Sequence, residues 1–305
     1  MTFVRRHPLV SFFGLAYGLS WAYWIPLALA GVRTAPGSST THEPGLLGPA
    51  LAAFIITGLT EGRAGVVAFA KRLVLISRPA WRFFIYSLSP LIFLGLAVVV
   101  ANVIHTPLPP WSEFAIYSGL PPLGFLTILL LVLLFNGFGE EAGWRGFAIE
   151  PLQRRFGPVG GTLMLAGLWA GWHTPTFFVV ETYRTMTVPM IIGGFGLGIC
   201  AGAIVLSRIA RRTDGSVLAA ALWHALYNMT SATSASRGVI AAVTTTCVMV
   251  WATMLLISEV RRGMRPSTLL VEHAHVLGIW THGRRELRTG DGEPTAGGNR
   301  ETVGR

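Results

Sequence analysis

Apolar residues run along this chain in long, nearly unbroken blocks, separated by short stretches where arginine, glycine and proline collect. The blocks run from Leu9 to Val32, Pro44 to Thr60, Phe83 to Ile104, Leu120 to Phe138, Val159 to Val180, Val188 to Leu206, Ser216 to Ser234 and Val239 to Ile257. Each is close to the roughly 20 residues that an α-helix needs to cross a bilayer. The pattern predicts an all-α fold, a polytopic membrane helix bundle of about eight transmembrane helices. Between the second and third blocks, Val66, Val67, Phe69, Leu73, Val74 and Ile76 interleave with Lys71, Arg72 and Arg78. This mixed stretch, Arg63 to Arg82, suits a helix lying in the interface. The domain reading is one transmembrane bundle over 1–260, with its motif-bearing core at 120–234, and a largely disordered, basic cytoplasmic tail over 261–305. The tail has too little apolar content to fold alone.

Composition agrees. The 305 residues are 52% hydrophobic and 12% charged, with mean hydropathy +0.56, whereas soluble domains carry about 25% charged residues. The net charge of +10 would suit nucleic acid, but the basic residues sit between apolar blocks rather than on one face, so no nucleic-acid partner is expected. They report topology instead. One set of loops holds Arg5 and Arg6, then Arg63, Lys71, Arg72, Arg78 and Arg82, then Arg145, Arg154 and Arg155, then Arg208, Arg211 and Arg212, and the tail. The alternating loops hold only Arg33, Arg184 and Arg237. By the positive-inside rule both termini are cytoplasmic, which an even number of spans also requires, and the expected location is the cell (plasma) membrane. The first block has the length and the aromatic anchors, Trp21, Tyr23 and Trp24, of an uncleaved span rather than a signal peptide. Cys200 and Cys247 have no metal-type spacing. His273, His275 and His282 in the tail read as solvated side chains.

Three blocks carry costly polar groups. Ionisable residues at membrane depth face a bundle interior or an aqueous cavity and mark a functional site by default. Glu140 and Glu141 are placed at the cytoplasmic end of the fourth block. Arg145 lies one turn beyond Glu141, so these two can pair, while Glu140 points about 100° away. Glu141 then reads as structural and Glu140 as a general base. His173 lies within Gly167-Leu168-Trp169-Ala170-Gly171-Trp172-His173-Thr174-Pro175, where glycine thins the helix and proline frees a carbonyl. His224 and Asn228 share a helix face, either as an interhelical hydrogen-bond clamp or as an oxyanion site.

These residues resemble the CAAX prenyl protease and bacteriocin-processing (Abi-type, CPBP) intramembrane peptidases. The first motif of that family, Glu-Glu-x-x-x-Arg, matches Glu140, Glu141 and Arg145. The second, Phe-x-x-x-His, matches Trp169 to His173 with Trp in place of Phe, and the third, His-x-x-x-Asn or Asp, matches His224 and Asn228. The resemblance implies an eight-helix bundle and an intramembrane endopeptidase. In it, Glu140 and His173 activate water, His224 and Asn228 hold the oxyanion, and Glu141, Arg145 and Trp169 support the site. The Phe-to-Trp change is expected to alter packing or substrate fit rather than to remove catalysis.

The substrate it implies is a peptide or a lipidated protein cut near its C-terminus, CAAX-like and prenylated where the host prenylates. The four catalytic candidates are expected to converge on one hydrated pocket open to the inner leaflet. No cofactor is favoured, because acceptors behind the histidines are not evident; zinc, the metalloprotease-like alternative, would use Glu140, His173 and His224. A transporter or channel, or a non-catalytic bacteriocin-immunity-type membrane protein, are the competing functions.

Overall fold

A computed structural model describes residues 3–261; the tail expectation and its three histidines lie outside the described residues. The fold is all-helical, without a named strand among the described residues. Helix α1 is Pro8–Leu29, α2 is Gly48–Leu73, and α3 (Ala80–Ser87) and α4 (Ser89–Val103) form one path bent by 45°. Helix α5 starts as Phe125–Val132 and runs on through π-helical Leu133–Glu140, Glu141–Gly143 and π-helical Trp144–Ala148. Helix α6 is Ile149–Trp172, α7 is Leu197–Arg212 behind π-helical Met190–Gly196, α8 is Val217–Ser231 and α9 is Gly238–Arg261.

All eight apolar blocks become helical, but the count of eight spans is not reproduced. Among the described residues five helical runs are long and apolar enough to cross a membrane, six with the bent α3–α4 pair. Two physical reasons account for the difference. The run Phe125–Phe178 joins two blocks, although Gly157 (φ 75°) followed by Pro158 breaks it. Helix α8 has 15 residues, roughly 22 Å at 1.5 Å per residue, which falls short of an apolar core of about 30 Å. The stretch expected in the interface is likewise divided: Gly62 (φ 69°) kinks α2 where apolar sequence turns mixed, α2 then runs on to Leu73, and helix resumes at Ala80.

The two ends of the bundle differ. At one end, four connections are woven together. Thr34 N–H donates to Val179 O (2.9 Å), Gly37 N–H to Tyr117 O (3.0 Å) and Ser234 N–H to Ile116 O (2.9 Å). Arg237 pairs with Glu113 across the same layer. At the other end, Arg72 donates to Gly146 O (3.0 Å), Ser216 donates to Leu75 O and caps α8, and Arg208 and Arg211 share Glu259. The loops that alternate in basic content therefore sort to opposite ends.

Glycine sets how closely α5 can be approached. A Cβ at Gly139 would lie 2.8 Å from Leu46 O, one at Gly143 2.5 Å from Pro49 Cβ, and one at Gly137 2.9 Å from Ala221 O. Helix α5 thus touches the start of α2 on one side and α8 on another. Glu140 and Glu141 lie inside this continuous helix, not at the end of a span, because the helix runs on to Ala148.

Candidate active site

The polar residues of the three motifs lie in one cluster. Glu140 and Arg145 are 2% exposed, Glu141 0%, His173 8% and His224 7%, and Asn228 is half-buried. The i,i+4 pair forms as its spacing requires: Arg145 Nη1 lies 2.9 Å from Glu141 Oε1, and His224 Nδ1 meets the same oxygen at 2.8 Å. Glu141 thereby ties α5 to α8.

Trp169 organises the other half of the cluster. Its indole N–H donates to Glu140 Oε2 at 2.6 Å, and Trp144, one turn along α5, donates to the same oxygen at 3.4 Å. Its backbone carbonyl accepts from His173 Nδ1 at 2.8 Å. The Arg145 guanidinium lies 4.6 Å above its ring, and the His224 ring meets it edge-on at 5.6 Å. A carbonyl can only accept, so His173 carries its proton on Nδ1 and leaves Nε2 with a free lone pair. Trp at this position therefore supplies a donor to Glu140 as well as bulk.

Asn228 joins a network that sequence reasoning missed. Its Nδ2 donates to Asn136 Oδ1 (2.8 Å) and to the Tyr117 hydroxyl (3.3 Å), and Tyr117 also donates to Asn136 Oδ1 (3.1 Å). Asn136 Nδ2 in turn donates to Oε2 of the buried Glu43 at 2.8 Å. His42 Nε2 lies 3.5 Å from the other Glu43 oxygen, and its Nδ1 meets Thr34 Oγ1 at 3.1 Å. Both Asn228 N–H groups are thus engaged, so His224 and Asn228 are on one face but do not point donors at one point. Outside the spans, burial pushes the His42 imidazole down to about 4. Glu43 was overlooked because it stands at the edge of an apolar block; its signal is a carboxylate beside a run otherwise free of charge.

Glu140 Oε2 is held by two indoles, and among the described residues no three His, Cys, Asp or Glu side chains are placed to bind a metal. The sequence argument against zinc nevertheless fails on its own terms, since both imidazoles do have an acceptor behind Nδ1.

A buried carboxylate thus lies beside two oriented imidazoles inside a helical membrane bundle, the kind of group set that acid–base chemistry uses. Residues 122–230 match the family model of type II CAAX prenyl endopeptidases, Rce1-like. CAAX prenyl protease 2 of Methanococcus maripaludis is 26% identical over 193 residues, covering 61% of this chain and 69% of that protein. Over residues 122–230 the chain is similar to Rce1-like CAAX prenyl endopeptidases, and the likeness indicates a membrane protease.

Proposed function

We propose that this chain is an intramembrane endopeptidase in which Glu140 and His173 together activate a water molecule. The observation that carries the reading is Trp169, whose side chain holds Glu140 and whose backbone holds His173. Glu140 Oε1 and His173 Nε2 are left as two proton acceptors in one site. The water loses a proton to this pair as its oxygen attacks the peptide carbonyl, and the same proton is returned to the leaving amine. His224 in its imidazolium form, with Glu141 against Nδ1, offers Nε2–H to the developing oxyanion. Asn228 could add a donor only by giving up a bond to Asn136 or Tyr117. Arg145 balances the charge of Glu141 and stacks on Trp169. The substrate is a peptide segment at or in the membrane, cut near its C-terminus, and a prenylated CAAX sequence is one member of that class.

The test is peptide cleavage by the detergent-purified protein, comparing wild type with Glu140→Gln and His173→Ala, each with and without a chelator. Loss of turnover in both variants with retained folding is expected. Turnover at the wild-type rate in either one removes that residue from the mechanism. A farnesylated and an unmodified CAAX peptide, run side by side, separate a prenyl requirement from general peptide processing.

A further inference from the structure

Away from the candidate active site, α6, α7 and α9 leave a cleft between them at the arginine-rich end of the bundle. Gly157 and Pro158 break α6 beside it, and the corner is tight, since a Cβ at Gly161 would lie 2.5 Å from Gln153 N. Thr162 donates to Pro158 O at 2.7 Å and Gln153 Nε2 donates to Thr162 Oγ1 at 2.9 Å, so the polar wall on α6 is held in place. The facing wall is made by the last turns of α7, with Ser207, Arg208 and Arg211, and by Glu259 of α9. Arg208 Nη1 lies 3.1 Å from Glu259 Oε1, and Arg211 reaches the same oxygen.

These groups are not fully matched. Two guanidinium groups meet one carboxylate, so positive charge is in excess in the cleft. Among the described residues neither Arg211 Nε nor Ser207 Oγ has a hydrogen-bond partner, although both atoms are buried and Ser207 is only 4% exposed. A hydroxyl inside a helix can bond back to the carbonyl one turn earlier, as Thr60, Ser87 and Thr244 do. Ser207 makes no such bond and lines the cleft instead. Buried donors left unpaired cost stability, so two of them beside surplus positive charge are complementary to an anion with several acceptor oxygens. A phosphate group has that shape and charge, and the guanidinium fork matches it. The rest of the lining is apolar: Val159, Leu163, Ile204, Leu255 and Leu256, with Leu163 exposed at the rim.

We propose that this cleft binds a phosphate group through Ser207, Arg208 and Arg211, and that the phosphate is the headgroup of an anionic phospholipid whose acyl chains lie along Leu163, Leu255 and Leu256. Basic pockets between membrane helices hold acidic headgroups in this way, and the apolar wall gives the chains a surface that free phosphate would leave unused. Glu259 orders the two arginines and is the acid with which the phosphate shares them. The bound lipid bridges α6, α7 and α9. None of the cleft residues belongs to the candidate active site, so the inference is independent of the peptidase reading.

The experiment is thermal unfolding of the delipidated full chain in detergent, titrated with dioleoylphosphatidylglycerol, dioleoylphosphatidylcholine or sodium phosphate at fixed ionic strength. Phosphatidylglycerol should raise the melting temperature saturably, at concentrations where phosphatidylcholine and sodium phosphate do not. Arg208→Gln leaves Glu259 its bond from Arg211 and should raise the half-saturating concentration of phosphatidylglycerol about tenfold or more. Ser207→Ala should raise it about three- to tenfold. Because that change removes only an unpartnered hydroxyl, the lipid-free melting temperature should stay at the wild-type value, which separates lost binding from lost folding. Arg63→Gln removes an exposed arginine that does not line the cleft and should bind as wild type does. Stabilisation by sodium phosphate equal to that by phosphatidylglycerol, and lost in the same variants, assigns the cleft to free phosphate and overturns the lipid. No shift with either, equal shifts with the two lipids, or equal weakening in Arg63→Gln overturns the site itself.

Discussion

Replacing Trp169 by Phe isolates one hydrogen bond in a site where most changes would disturb several. It restores the residue type of the family's second motif and keeps a large ring between Arg145 and His224. It also leaves the carbonyl of residue 169 in place to hold His173 Nδ1. What it removes is the donor 2.6 Å from Glu140 Oε2, leaving that oxygen only the longer bond from Trp144 at 3.4 Å. A hydrogen bond to a charged group is worth about 1.5–3 kcal/mol. If that energy holds Glu140 in its attacking geometry, its loss lowers kcat by roughly 10- to 100-fold, at 1.36 kcal/mol per decade.

The assay is kcat and KM for peptide cleavage in detergent, with thermal unfolding measured on the same preparations. The expected result is a fall in kcat with KM changed little, because the lost bond positions the base rather than the substrate. A Phe variant that turns over like wild type, at equal stability, refutes the idea that this indole positions Glu140. The tryptophan would then be a packing variant only.

Other changes test neighbouring parts of the reasoning. Arg145→Met removes the partner of a fully buried carboxylate and is expected to cost about 3–5 kcal/mol; unfolding within a degree or two of wild type would contradict the burial of that pair. Gly139→Ala drives a methyl group to 2.8 Å from Leu46 O, backbone that cannot rotate away, and should cost about 1–3 kcal/mol as α5 and α2 are forced apart; an unchanged melting temperature would refute the close approach. Glu43→Gln keeps its shape but can present an N–H to Asn136 Nδ2, so it should slow turnover by about tenfold through Asn228, as positioning errors do, and a wild-type kcat would show that the file of amides is idle. His42 is held neutral by burial, its value lowered from 6.5 to about 4. A depressed value means that the unfolded chain binds the proton first, so this contribution is complete above pH 6.5 and is lost as pH falls towards 4. His42→Gln should flatten that part of the stability profile, and a profile indistinguishable from wild type would count against it.

How much of this was legible depends on the range of each interaction. The pairs written into one helix could be read from spacing alone: Glu141 meets Arg145, and His224 and Asn228 share a face. Their remaining partners come from other elements. Glu140 is held by a tryptophan 29 positions away, and Asn228 by Asn136, 92 positions away. A soluble helix marks its inward face by an apolar stripe, but a membrane helix is apolar all round, and that period disappears. Rare polar residues then carry the facing information, which is why Glu140, His173 and His224 were found and their geometry was not. The missing information lies partly in the glycines. Gly137 and Gly139 flank Asn136, and each sits where a Cβ would strike backbone of a different element. Together they turn Asn136 towards Glu43 on one side and Asn228 on the other. In Phe135-Asn136-Gly137-Phe138-Gly139 the asparagine is the residue held at a point of close approach, so the small residues locate the contact and the polar residue between them shows what the contact is for.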